Sequence, residues 1–110
     1  MIPKELYYQD LLIAYLSDSQ LEWPRSDSIY QLADNLPSNI LAFIESSIKS
    51  SRLIENNNEI ALQLHIKNSE LKFIDIINSK DWYIKDEIGK KYGILSPIFH
   101  PNNIIVWMGS

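Results

Sequence analysis

The sequence predicts an α+β fold: an N-terminal three-helix segment, an antiparallel β-hairpin or meander, one element of either type, and a C-terminal strand. Apolar residues recur at helical spacing before residue 50, alternate after residue 59, and form an unbroken run near the C terminus. Helices first and strands after are typical of α+β proteins. A chain of 110 residues suits one hydrophobic core, so we expect a single domain over 1–110, with 1–50 helical and 52–110 mainly β.

The first expected helix covers Lys4 to Leu16, a stretch without a helix breaker. Pro3 suits the first turn of such a helix, because the N–H that proline lacks is not needed there. Apolar residues lie on nearly every side of this segment, which is typical of a central helix or of one covered by a partner. The sequence therefore leaves a homodimer open.

Two further helices are expected before residue 50. Ser26-Asp27-Ser28 offers N-cap side chains, and apolar residues then recur at i, i+3, i+4 and i+7 from Ile29 to Leu36. Pro37-Ser38 ends that helix and caps a third, whose apolar stripe runs to about Ser50. These spacings predict two short amphipathic helices.

The segment from Glu59 to Ile77 is predicted to be the hairpin at the centre of the fold. Its first half alternates apolar and polar residues, Asn68-Ser69 suits a tight turn, and an apolar second run follows. Arg52 to Glu55 is expected to be a short strand before it. The apolar face of the first hairpin strand would carry Ile60, Leu62, Leu64 and Ile66.

The C-terminal third contains one ambiguous element and one clear strand. Trp82 to Tyr92 fits either a helix capped by Gly93 or a continuation of the sheet. Ile104 to Met108 is continuously apolar, which predicts a strand buried on both faces.

Composition narrows the expected partners and location. The net charge of −4 makes nucleic acid an unlikely partner, because phosphates favour clustered Lys and Arg. Up to Ile48 there are seven acids and two bases, so a basic protein meeting this half is the simplest partner, although a solvated helical face explains the same asymmetry. The chain has no cysteine, no signal pattern at its N terminus and no apolar run of membrane-spanning length. A cytoplasmic location without membrane contact is expected.

Residues from about 10 to 66 resemble a winged helix-turn-helix domain. Leu32-Ala33 matches the second-helix Leu-Ala of that family, and Leu41 and Ile48 match two buried positions of its recognition helix. Leu53-Ile54-Glu55 matches the hydrophobic pair that enters the wing, and Asn56 to Asn58 would form the wing tip.

The resemblance implies a DNA-binding transcriptional regulator in which Lys49 and Arg52 contact phosphates. The face that would contact bases carries Glu45 and small polar residues, and Lys49 is the cation on that face. Base recognition and phosphate contact mostly require Arg and Lys. DNA binding is therefore the alternative function and not the first.

Motifs for catalysis or cofactor binding are lacking in the sequence. His65 and His100 are 35 residues apart without local pairing, which predicts no metal site. Asp75 and Asp81 flank a predicted strand end, but a solvent-exposed Asp75 is the simpler interpretation. No glycine-rich phosphate loop or Gly-x-Ser-x-Gly motif is present. We expect no enzyme activity and no cofactor.

A small basic and aromatic group lies in the ambiguous segment. Lys85, Lys90 and Lys91, with Tyr83 and Tyr92, suit contact with single-stranded nucleic acid. Neighbouring acids dilute this charge, so a solvated amphipathic helix is the favoured interpretation.

These observations predict a small acidic protein that binds and masks a basic protein. The concrete form is a bacterial immunity protein that inhibits a nuclease-like toxin, by analogy with small, acidic, cysteine-free proteins of that type. The contacts are expected from acidic and aromatic residues of the N-terminal half, because aromatic anchors ringed by charge are common in tight interfaces. The expected partner-binding residues are Glu22, Trp23, Asp27, Tyr30 and Asp34.

Overall fold

The computed structural model describes residues 1–22, 24–68 and 70–109. Among these residues, seven strands form one antiparallel sheet, and helices pack on one of its faces. The strands are β1 (Pro3–Tyr8), β2 (Leu11–Leu21), β3 (Arg25–Leu32), β4 (Trp82–Asp86), β5 (Lys91–Gly93), β6 (Ile98–Phe99) and β7 (Ile104–Met108). The helices are α1 (Ser38–Glu55), α2 (Glu59–Asn68), a 3₁₀ turn (Glu70–Phe73) and α3 (Ile74–Ile77).

The sheet joins strands from both ends of the chain. Its order is β5-β4-β1-β2-β3-β7-β6, so the N-terminal strands pair with β4 on one side and with β7 on the other. A bridge between Ile94 and Gly109 connects the chain after β5 to the end of β7. The sheet therefore curls around its buried face, and its opposite face is convex.

Local backbone geometry fixes the first hairpin. Tyr8 pairs with Leu11, which leaves Gln9 and Asp10 as a two-residue turn. Gln9 has a φ of 56°, a left-handed conformation common in such turns, and its N–H donates to the carbonyl of Asp81 at 3.0 Å. The turn is thereby tied to the residue just before β4.

Aromatic rings fill the space between α1 and the sheet. Phe43 on α1 lies with its ring centroid 5.8 Å from Trp82, 6.0 Å from Phe73 and 6.3 Å from Phe99. Tyr30 meets Phe99 edge to face at 5.2 Å. Edge-to-face and tilted contacts of this kind are favourable, so one helix residue organises the centre of the core.

The expected N-terminal three-helix segment is wrong. Lys4 to Leu16 forms the β1–β2 hairpin instead of a helix. The segment is apolar on all sides because both faces of these strands carry apolar residues: Leu6 and Leu16 face the core, whereas Tyr7 and Leu12 face outward. Tyrosine and isoleucine also favour strands.

The predicted second helix is also wrong, because Ile29 lies in β3. This strand is paired along both edges, with β2 and with β7, so ladder hydrogen bonds outweigh a short helical pattern. Ser28 faces inward and binds the Ser19 hydroxyl at 2.7 Å, so it is no helix cap. The division into a helical half and a β half is corrected with it.

The predicted hairpin over Glu59 to Ile77 is wrong as well, because Glu59–Asn68 and Glu70 to Ile77 are helical. Ser69 of the predicted turn lies outside the described residues. The Asn58 side chain accepts a hydrogen bond from the Ala61 N–H at 3.2 Å, which is N-capping rather than a simple turn. Ala, Leu, Gln and Glu then favour the helix. The alternating residues pack poorly on it, and Ile60 and Leu64 remain exposed.

Other expectations are met in part. Helix α1 covers the third predicted helix but continues to Glu55, so it replaces the predicted strand there. Within Trp82 to Tyr92 the sheet alternative is confirmed, since this segment supplies β4 and the first residues of β5. The C-terminal strand is confirmed as β7 with the same bounds, Ile104–Met108.

The residues behind the winged-helix resemblance lie in mixed elements. Leu32 ends β3 and Ala33 follows it, whereas Leu41 and Ile48 lie on α1. Leu53-Ile54-Glu55 forms the last turn of α1. DNA binding by this segment stays a prediction.

Candidate protein-binding surface

The convex face of the sheet is not covered by the helices. Strand register places Ile29 opposite Ile104, Ile98 opposite Val106, and Asp27 on the other side of Val106. Inward-facing neighbours such as Tyr30 and Phe99 contact each other or α1 instead. Alternation along each strand therefore sends these two sets of side chains to opposite faces.

The side chains on this face form an apolar group across β3, β7 and β6. Ile104 is 38% exposed, Ile29 is 39% exposed, and Val106 is buried without belonging to the main core. Cross-strand partners on one face lie within about 5.5 Å of each other, so the group is continuous. We call it the apolar patch; it consists of Ile29, Ile98, Ile104, Val106 and Met108.

A shallow groove of about 730 Å³ borders the apolar patch at Ile29. Its lining includes Tyr15 and Gln31, which are cross-strand partners on β2 and β3. Tyr15 is 50% exposed, although its ring is large and mostly apolar. Contiguous exposed apolar surface of this kind is characteristic of contact sites.

Acidic side chains flank the patch at the end of the β2–β3 hairpin. Asp27 is half-buried beside Val106, and Asp18 and Glu22 are exposed nearby on β2 and just beyond it. Asp18 lies in a β-bulge with a φ of 47°. Arg25 lies opposite Met108 at the same end and contributes a positive charge there.

The surface charges are largely unpaired. Within the part of the chain that the structure describes, no Lys or Arg nitrogen lies within 4.0 Å of a carboxylate oxygen. His100 Nδ1 and Glu55 Oε1 are 4.0 Å apart. The carboxylates beside the apolar patch are therefore available to an external cation.

The structure brings together only some of the residues predicted to bind a partner. Glu22 and Asp27 lie at one end of β3, whereas Asp34 lies beyond its other end, seven residues from Asp27 and thus about 20 Å away. Tyr30 is 6% exposed and packs in the core, so it presents no ring to a partner. Trp23 falls outside the described residues.

Sequence reasoning missed the apolar patch. The sequence predicts Ile29 on the apolar stripe of a helix and Ile104 in a strand buried on both faces. On β3 the usual alternation is inverted, because buried Ser28 precedes exposed Ile29. Ser28 is satisfied by the Ser19 hydroxyl and by the indole N–H of Trp107 at 3.4 Å. No local pattern would have indicated this inversion.

A buried histidine–serine pair lies on the helical side. His65 Nε2 is 2.9 Å from the Ser46 carbonyl oxygen and 3.2 Å from the Ser46 hydroxyl. The shorter contact requires a proton on Nε2, since a carbonyl oxygen only accepts. A protonated Nε2 cannot take a proton from the Ser46 hydroxyl, so His65 and Ser46 do not form a nucleophile–base pair. Their hydrogen bond instead joins α2 to α1.

Serines on α1 bind the edge strand of the sheet. The Phe99 N–H donates to the Ser47 hydroxyl at 2.9 Å, and the Ser51 hydroxyl donates to the Phe99 carbonyl at 3.0 Å. Because β6 ends the sheet, these groups would otherwise be unpaired. A cleft of about 320 Å³ lies beside them between α1 and the α3 segment, lined by hydroxyl groups and by the Phe43 and Phe73 rings.

The Asp86 carboxyl group and the His100 imidazole both have pKa values below their ordinary ones. Burial tends to raise the pKa of Asp86, but hydrogen bonds from the N–H groups of Lys90 and Ile88 and from the Tyr92 hydroxyl hold it below the usual value. Burial lowers the pKa of His100, an effect that Glu55 opposes. Asp86 therefore orders the turn between β4 and β5 through these hydrogen bonds.

The comparisons identify no relative. No protein-family model, no curated protein and no solved structure matches the chain. Over residues 1–22, 24–68 and 70–109, no helix is long and apolar enough to cross a membrane. The same described residues contain no group of three or more His, Asp or Glu side chains placed to hold a metal ion.

Proposed function

We propose that this protein is a small acidic, cytoplasmic protein-binding module that masks a basic partner. Its concrete form is an immunity-type protein that inhibits a nuclease-like toxin. One observation carries the proposal: the convex face of the sheet exposes the apolar patch beside Asp27, with Glu22 exposed just beyond the end of β2, and neither carboxylate has a cation within 4.0 Å among the described residues.

The shape of this surface favours a concave partner. A convex sheet face enters a cleft more readily than it meets a flat surface, and nuclease active sites are clefts that collect positive charge around a phosphate-binding centre. Apolar contacts at the centre of an interface exclude water, and charges at its rim guide association. The apolar patch and its acidic flank match these two roles.

Charge reversal of the acidic flank tests the proposal. The partner is first captured from the native lysate at low salt with the tagged protein, with and without nuclease treatment, and identified by mass spectrometry. We expect Asp27→Lys with Glu22→Lys to slow association with this captured partner by about tenfold at low salt, because rim charges steer the encounter. The difference should shrink at high salt as the charges are screened. Stopped-flow or surface-plasmon kinetics at two ionic strengths would measure it.

The matched control is Glu59→Lys with Asp75→Lys, which changes the net charge equally on exposed positions of α2 and α3. This control should associate at nearly the wild-type rate. Equal slowing in both double variants would show a general charge effect and would refute a specific acidic flank. Recovery of nuclease-sensitive nucleic acid, in place of a protein, would overturn the proposal altogether.

A further inference from the structure

Tyrosine and lysine side chains form an ordered group at the other end of the convex face. Tyr7 on β1 is the direct cross-strand partner of Tyr83 on β4, and Lys85 on β4 is the partner of Lys91 on β5. The Tyr7 and Tyr83 rings are stacked, with centroids 5.0 Å apart and planes within 1°. We call these four residues the tyrosine–lysine ladder.

Each lysine of the ladder lies over a ring on the neighbouring strand. Lys85 Nζ is 4.6 Å from the Tyr7 centroid, and Lys91 Nζ is 5.0 Å from the Tyr83 centroid. Both side chains lean by one strand in the same direction, so their ammonium groups lie on the same face of the sheet over neighbouring rings. The ring quadrupole attracts each cation but leaves its charge in place.

Neither ammonium group of the ladder has a carboxylate partner in the part of the chain that the structure describes. No carboxylate oxygen of the described side chains lies within 4.0 Å of Lys85 or Lys91. Glu5 is the cross-strand partner of Lys85, but it interacts with the Tyr7 hydroxyl and helps to raise the pKa of that phenol, which burial raises most. Like charges directly opposite each other are unfavourable. An oxyanion between the two ammonium groups would relieve this repulsion.

We propose that the tyrosine–lysine ladder binds a nucleotide, with a phosphate between Lys85 and Lys91 and the base against the tyrosine rings. A phosphate accepts hydrogen bonds on several sides and suits two neighbouring ammonium groups. Tyr15 extends the aromatic surface by one strand, since it pairs with Glu5 and lies near Tyr7. Aromatic rings and cations together on an open sheet face are what single-stranded nucleic acid binds.

The ligand has two sources, a free nucleotide or one unit of a single strand. Glu5 and Asp10 lie near the tyrosines and reduce the local positive charge. We therefore expect binding that is weak and falls steeply with added salt. This site lies on β1, β4 and β5, apart from the apolar patch, and does not depend on the proposed masking function.

The test uses the full chain and three probes at low salt: inorganic phosphate, adenosine monophosphate, and a fluorescein-labelled single-stranded oligothymidylate. Fluorescence anisotropy follows the oligonucleotide, and amide chemical shifts of residues 7, 83, 85 and 91 follow the small ligands. Saturable binding of the oligonucleotide with weak mononucleotide binding identifies a single strand as the ligand. If adenosine monophosphate binds as tightly as the oligonucleotide does per nucleotide, the ligand is a free nucleotide.

Matched variants separate the ladder from net charge. Lys85→Gln with Lys91→Gln should weaken binding about tenfold and reduce the salt slope by about 1. Lys67→Gln with Lys72→Gln removes the same charge from α2 and the 3₁₀ turn, where Lys72 also lies over a ring, 5.8 Å from the Phe73 centroid. This control should bind like the wild type.

Two tyrosine variants test the stacking contribution. Tyr83→Leu should weaken binding roughly tenfold, whereas Tyr83→Phe should retain it because stacking requires a ring and not a hydroxyl. Circular dichroism confirms that each variant is folded. The proposal is overturned if no probe saturates at low salt, if both lysine double variants lose affinity equally, or if phosphate binds as tightly as the nucleotide.

Discussion

His100 is a residue whose surroundings oppose its charged form. Its Nε2 is buried and has no hydrogen-bond partner among the described residues, and burial lowers the pKa of the imidazole, although Glu55 at 4.0 Å raises it. The unfolded chain therefore binds a proton on this residue at a higher pH than the folded chain does. Stability contributed by His100 is therefore fully present above the unfolded pKa and is lost as pH falls through the lower, folded pKa.

This linkage predicts a difference between the wild type and His100→Phe, which keeps an aromatic ring but does not titrate. The urea midpoint of the wild type should fall more between pH 7.5 and pH 5 than that of the variant. Carboxylates titrate in both proteins, so the difference between the two profiles isolates His100. Parallel profiles would contradict the account of this residue.

At the scale of elements, β6 is held by hydrogen bonds to α1 as well as by pairing with β7. Ser47 accepts the Phe99 N–H, and Ser51 donates to the Phe99 carbonyl, so the two hydroxyl groups occupy the free side of a two-residue strand. Exposed strand edges recruit other chains unless they are covered. The serines of α1 thus protect this edge.

Removing one of these hydroxyl groups should loosen a single amide. We expect Ser47→Ala to speed hydrogen exchange of the Phe99 amide roughly fivefold, the effect of losing about 1 kcal/mol of hydrogen bonding. The Ile84 amide on strand β4, which is paired on both sides, serves as an internal reference and should not change. Ser47→Thr retains a hydroxyl and should preserve protection. Unchanged exchange at Phe99 in Ser47→Ala would show that the serine does not protect the edge.

Elements with distant partners were the hardest to predict from the sequence. Strand β1 depends on β4, whose Trp82 pairs with Tyr8, and β3 depends on β7. A local apolar pattern records burial but not these partners, so apolar strands resembled helices. For α2 the error ran the other way: the cap at Asn58 and good helix formers outweighed the alternation of Ile60 and Leu64. The C-terminal strand β7 was predictable because a short, unbroken apolar run is typical of a buried strand.

At the scale of the whole molecule, a curled sheet separates two surfaces on its convex face. The apolar patch lies on β3, β7 and β6, and the tyrosine–lysine ladder lies on β1, β4 and β5. Asp27 was named from charge alone and lies beside Val106 of the apolar patch, whereas Glu22 lies just beyond the end of β2; their contact with a partner stays a prediction. The inward direction of Tyr30 and the outward direction of Ile29 were not predictable, because strand register decides them.

The most direct test of the masking proposal is a comparison of two double variants in one binding assay. Ile29→Thr with Ile104→Thr removes apolar surface from the centre of the patch while retaining β-branched side chains that suit strands. Ile60→Gln with Leu64→Gln removes exposed apolar surface from α2 instead. Each variant is titrated against the captured basic partner, and both the dissociation constant and inhibition of the partner's activity are measured. We predict that the sheet variant binds at least tenfold more weakly and inhibits correspondingly less, whereas the α2 variant matches the wild type. Undiminished binding and inhibition by the sheet variant would contradict the assignment of the convex face as the binding surface.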